Sequence, residues 1–313
     1  MCSSDLTMQR RQRKNTPIIW FILSIFGLFL LGGQNASFSQ VLGSGGADGP
    51  ALSADHPEVQ RVMKIQDSVT DLLMETPGVV GVGTGLTSDG LPGIVILAEH
   101  RKNEWMIPEH IQGVPVIWHD TPRPVVLSEA EPEMSMLSTP LLKTGSTTTR
   151  PALLGESIGN ANDCSAGSIG VRVTDGSNYY VLSCNHVLSR TNGASLNEIA
   201  LNPGRGDNSC LQVIADSIGR LVDYQSLVFS SSASNTMDAA MVKINPSMIL
   251  SSTPTAGYGV PSTTPANPSM MMAVQKYGKG TGLTQGYIMA INLAVYVSYN
   301  GTSTRFVNQI AAY

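Results

Sequence analysis

Val181-Leu182-Ser183-Cys184-Asn185-His186-Val187-Leu188 is an apolar run that ends in a histidine. Fifty residues on, Asn235-Thr236-Met237-Asp238-Ala239-Ala240-Met241-Val242-Lys243-Ile244 places an aspartate at the mouth of a second apolar run. Both runs are short, rich in β-branched and aliphatic residues, and bounded by turn formers, as strands are. Each therefore offers one titratable side chain at a strand end. A histidine so placed can take a proton from a hydroxyl, and a carboxylate beside it can fix the imidazole tautomer and stabilise the imidazolium.

Around these runs the pattern repeats. Ile169 to Val173 and Tyr179 to Ser183 flank Thr174-Asp175-Gly176-Ser177-Asn178, a hairpin signal. Ala239 to Ile244, Gly286 to Ile291, Leu293 to Val297 and Arg305 to Ile310 follow. Short strands at this spacing predict a sandwich or barrel. Only 13% of residues are charged and there are 31 glycines, a balance suited to strands and turns.

Five segments resemble a secreted bacterial branch of the trypsin-like serine peptidases. Cys164-Ser165-Ala166-Gly167-Ser168-Ile169-Gly170-Val171 resembles that family's opening strand, and Ser183-Cys184-Asn185-His186-Val187-Leu188 its Ser-Asn-Asn-His-Val motif. Asn235-Thr236-Met237-Asp238-Ala239-Ala240 resembles Asn-Thr-(Val/Ile)-Asp-Ala-Ala. Lys276 to Thr284 resembles Lys-x-Gly-Arg-Thr-Thr-Gly-Leu-Thr, with Lys279 at the arginine and Gly280 at the first threonine. Phe306-Val307-Asn308-Gln309-Ile310 resembles the strand before the nucleophile loop.

The resemblance implies a mostly β fold, a chymotrypsin-like double β-barrel, with the second barrel incomplete and a small α+β module in front. It assigns His186 as general base and Asp238 as the tautomer-fixing carboxylate, acting on a peptide or protein substrate without a cofactor. It also implies a Cys164–Cys210 disulfide, with Cys184 left unpaired. The family's serine lies in a Gly-Asp-Ser-Gly that the sequence does not reach before Tyr313. The 313-residue chain is thus expected to be an inactive fragment of an exported serine endopeptidase. A non-catalytic protein that binds peptides or partners on a degenerate protease fold is the alternative.

The N-terminal part divides by composition. Arg10, Arg11, Arg13 and Lys14 precede the apolar run Pro17 to Leu31 and a stretch of small residues, the layout of a signal peptide over 1–40. That run is short for a permanent span of about 20 residues. The reading is of a secreted or periplasmic protein that meets the membrane only through this segment. A Gly/Ser/Ala-rich linker follows at 41–53.

In the module at 54–128, Val59, Val62, Met63, Val69, Leu72 and Leu73 recur at helical spacing up to Pro77-Gly78. Val79 to Gly85 and Ile94 to Leu97 read as a hairpin around Thr87-Ser88-Asp89-Gly90. Ile107 to Ile111 reads as a helical turn before the strand Val114 to Trp118. A second linker is expected at 129–160, then the peptidase domain at 161–313.

Other chemistries find little support. A net charge of −4 offers no broad attraction for nucleic acid. Gly81 to Gly85 and Gly278 to Gly282 lack phosphate-loop spacing, and His56, His100, His110 and His119 lack metal-ligand spacing. Gly206-Asp207-Asn208-Ser209-Cys210 superficially resembles a nucleophile motif but reads as a disulfide-anchored turn.

Overall fold

The computed structural model describes residues 52–100, 104–126 and 149–313. The expected signal peptide and most of both linkers lie outside the described residues. The chain begins with a short strand, β1 (Leu52–Ser53), and one helix, α1 (Pro57–Met74). Proline in the first turn and the His56 ring, which accepts from the Glu58 N–H, start this helix. Its apolar stripe of Val59, Val62 and Leu73 is buried.

Strands β2 (Val79–Leu86) and β3 (Pro92–Ala98) form the expected hairpin. The stretch expected as a helical turn is instead strand β4 (His110–Ile111), folded back on β5 (Val114–Asp120). Gln112 and Gly113 between them have φ of 48° and 77°. That is the two-residue left-handed turn that closes hairpins. β5 pairs parallel with β3.

The next seven strands form one curled sheet. They are β6 (Ser157–Asn160), β7 (Gly167–Ser168), β8 (Val171–Thr174), β9 (Tyr179–Ser183), β10 (Ile199–Leu201), β11 (Ser217–Tyr224) and β12 (Ala240–Ile244), ordered β7-β6-β10-β11-β12-β9-β8. The two edge strands are neighbours in sequence. The Ile169 N–H bonds to the Glu156 carbonyl and the Gly170 N–H to the Leu182 carbonyl, so 167–174 closes the sheet on itself. Closure removes exposed edges and encloses a core of Leu154, Ile158, Ile169, Val181, Leu221 and Val242. The barrel starts earlier than the cysteine at 164: Ser157–Asn160, expected to end a linker, is a core strand, with Ile158 fully buried.

The last strands are β13 (Ser269–Met270), β14 (Ala273–Gly278), β15 (Gly282–Tyr299) and β16 (Thr302–Ala312). They do not stand apart from the N-terminal module. The second sheet runs β14-β15-β2-β3-β5-β4, with β16 also on β15. β2 is antiparallel to β15, with Thr84 opposite Ile291 and Val82 opposite Ala294. β1 pairs with β13. Leu227, from the barrel segment, packs with Val80, Leu293 and Phe306 of this sheet.

Candidate active site

The site forms where β9 ends. Cys184 is extended, and Asn185–Leu188 make one helical turn, α2, closed by the Leu188 N–H on the Cys184 carbonyl at 2.9 Å. Val187 and Leu188 are buried, which fixes the turn and leaves the His186 side chain only 4% exposed. Arg190, Thr191 and Asn192 then take left-handed φ angles. The Asn185 amide ties this bend down, donating to Asn192 Oδ1 at 2.8 Å and to the Gln225 carbonyl at 2.6 Å.

Asp238 arrives from the other direction. β12 pairs with β9 so that Ala240 faces Ser183. Carrying that register two residues further sets Asp238 opposite Asn185, beside His186. The approach is anchored by Asn235, whose amide donates to the Val228 and Arg305 carbonyls, and by the Val307 N–H on the Asn235 carbonyl at 2.8 Å.

The two side chains meet. His186 Nδ1 lies 2.5 Å from Asp238 Oδ2, and the His186 backbone N–H donates to Oδ1 at 3.1 Å. The Tyr299 hydroxyl donates to the same Oδ2 at 2.7 Å. Burial alone would push the Asp238 carboxyl up. The His186 charge, with hydrogen bonds from His186 and Tyr299, outweighs it and leaves the group below its ordinary value. Burial, then the Asp238 charge and hydrogen bond, raise the Tyr299 hydroxyl well above its ordinary range, so it remains a donor. An ionised Asp238 accepts the Nδ1 proton, which leaves Nε2 as the ring nitrogen that can exchange a proton with a substrate-side group.

Nothing in the sequence marks Tyr299 for a role. It sits before Asn300-Gly301 at a hairpin tip, where a tyrosine ordinarily signals only a strand end. Its ring stacks on Phe306 with centroids 6.0 Å apart, tilts against Phe229 at 5.6 Å, and meets the His186 ring edge-on at 6.3 Å. No local pattern in the sequence marks that face.

Cys164 and Cys210 are disulfide-bonded, with Cα atoms 4.9 Å apart. Cys184 is a correction. Expected to be unpaired, it is disulfide-bonded, and among the described residues no cysteine is free. Its sulfur lies within 4.8 Å of the His186 and Asp238 atoms. As a disulfide it offers no thiolate, and the histidine and carboxylate already face each other.

Ser209 and Cys210 have φ of 52° and 59°, in a turn held by the disulfide and by the Arg205 guanidinium on the Cys210 carbonyl. Among the described residues, no serine hydroxyl is hydrogen-bonded to the His186 ring. The glycine-rich stretch after β14 docks on the barrel rather than on the pair: Lys279 Nζ lies 2.9 Å from Asp207, and the Lys279 N–H donates to Ser168 Oγ at 3.0 Å.

No family model and no curated protein matches the chain. Among solved structures, it is similar to a glutamic acid specific serine protease that uses a histidine triad in substrate binding. That likeness has 21% identity, 51% of this chain, 72% of the other and a TM-score of 0.36. It is also similar to Thermobifida fusca Protease A, at 17% identity, 51% and 69% coverage and a TM-score of 0.33. For Nocardiopsis protease the figures are 19%, 51%, 70% and 0.32. At such scores the reading of the site rests on its own geometry.

Proposed function

We propose that His186 and Asp238 are the base and carboxylate of an exported trypsin-like serine endopeptidase, acting with the serine of a Gly-Asp-Ser-Gly motif. The observation that carries this reading is the contact of 2.5 Å between His186 Nδ1 and Asp238 Oδ2. In this scheme Nε2 takes the serine proton as the hydroxyl attacks the scissile carbonyl, then returns it to the leaving amine. Asp238 stays ionised and holds the imidazolium through Nδ1. The substrate is a peptide or protein, and the Cys164–Cys210 bridge with the basic-then-apolar leader supports a site of action outside the cytoplasm.

Peptidase turnover tests the proposal. A chain continued through the Gly-Asp-Ser-Gly segment should cleave peptides, and His186→Ala in it should lower kcat by about 10⁴-fold or more. A continued chain that folds, binds peptide and shows no turnover would instead mark a binding protein.

A further inference from the structure

Asp238 carries three hydrogen bonds, and only two come from its histidine. The third donor, Tyr299, belongs to the other sheet. It ends β15, the strand paired with β16 through Tyr299 opposite Thr302 and with the N-terminal β2 through Val295 opposite Gly81. The tyrosine is 5% exposed, its ring clamped between Phe306 and Phe229, so the hydroxyl has a fixed direction.

His186 holds both carboxylate oxygens, through its ring on Oδ2 and its peptide N–H on Oδ1, so the carboxylate plane is already set. What Tyr299 adds is a second proton on Oδ2, with no charge of its own. A donor of that kind favours the ionised carboxylate in a site where burial opposes it.

We propose that Tyr299 is a positioning residue for the His186–Asp238 pair: its hydroxyl, delivered from the second sheet, keeps Asp238 ionised and facing His186. The inference rests on reading that pair as the acid–base device, yet it concerns the pair itself and needs no substrate. Besides His186 itself, the other described groups around the carboxylate do not supply the same effect. From α2 the facing titratable group is His186, and Cys184 at the end of β9 is disulfide-bonded and does not titrate. From β16, Phe306 is apolar, and the Arg305 guanidinium is directed to Asp71 of α1 at 2.7 Å. Phe229, from the barrel segment, carries no charge.

The test uses the 313-residue chain with carbon-13 in its aspartate carboxyls, Asp238 being identified by the signal lost in Asp238→Asn. Tyr299→Phe keeps the stacked ring and removes only the hydroxyl. The Asp238 titration midpoint should rise by about half a pH unit or more, the size of one net hydrogen bond. Phe229→Leu, which loosens the ring packing without touching the hydroxyl, should leave it in place. An unchanged midpoint in Tyr299→Phe, or an equal rise in Phe229→Leu, overturns the inference.

If the chain unfolds in acid before Asp238 titrates, the urea midpoints of wild type and Tyr299→Phe are compared across pH. The gap between them should narrow as pH falls, because the hydroxyl then faces a neutral acid. A gap independent of pH means Tyr299 is only packing. Loss of turnover in His186→Ala of the continued chain, with Asp238 blind to Tyr299→Phe, would sink this inference and leave the peptidase reading standing. The opposite pair of results would do the reverse.

Discussion

Gly81 of the N-terminal module lies in antiparallel register with Val295 of β15, four residues before the tyrosine that contacts Asp238. The module and the C-terminal strands are therefore parts of one sheet. Gly81, Gly83 and Gly85 recur at the strand period and make the close approach possible. A Cβ on Gly85 would lie 2.5 Å from Val95 Cγ2 and 2.7 Å from the Met289 carbonyl. Gly85→Ala should cost about 1–3 kcal/mol, measured by urea unfolding. Amide exchange in β15 should accelerate in the same variant, and unchanged exchange there would mean that β2 does not protect it.

Gln66 ties α1 to the same strand. Only 1% exposed, its amide donates to Thr70 Oγ1 at 3.0 Å and to the Asn292 carbonyl at 3.2 Å. It accepts from Thr84 at 3.0 Å and from Asn292 Nδ2 at 2.9 Å. Gln66→Leu preserves bulk but strands the buried Thr84 hydroxyl, so stability should fall by about 1–3 kcal/mol. A neutral result in chemical denaturation would show that the network reorganises at no cost.

Acid should weaken the barrel through Glu198. Burial raises this carboxyl, but the Arg190 guanidinium, the Ser195 N–H and the Asn160 amide outweigh it and bring it down to about 2. A carboxylate with a depressed folded-state value contributes stability above its unfolded value of 4.5, and that contribution is lost as pH falls toward about 2. Glu198→Gln should lower stability at neutral pH by about 1–3 kcal/mol and flatten the pH dependence between those limits. An acid limb unchanged by the substitution would place the dependence elsewhere.

Strands β8, β9 and β12 are legible because their apolar runs end in turn residues, and the hairpins around Gly90 and Gly176 carry their own turn chemistry, whereas β6, β10 and β11 go unmarked in the sequence. The distance between His186 and Asp238 was not legible, since it depends on the register of β9 on β12, a pairing of residues about 60 apart. Pairing of β2 with β15 was hidden for the same reason: alternating glycine marks a strand that something approaches closely, but does not say what. The stretch 107–111 reads as a helical turn, whereas the left-handed Gln112-Gly113 pair decides for a hairpin at His110–Ile111.

Most direct for the central claim is covalent labelling of the continued chain by a serine-directed phosphonate, with the site located by mass spectrometry. The proposal predicts one adduct, on the serine of the Gly-Asp-Ser-Gly segment, formed in the wild type and suppressed in His186→Ala. An adduct on Ser209, or labelling that proceeds equally without His186, would contradict it.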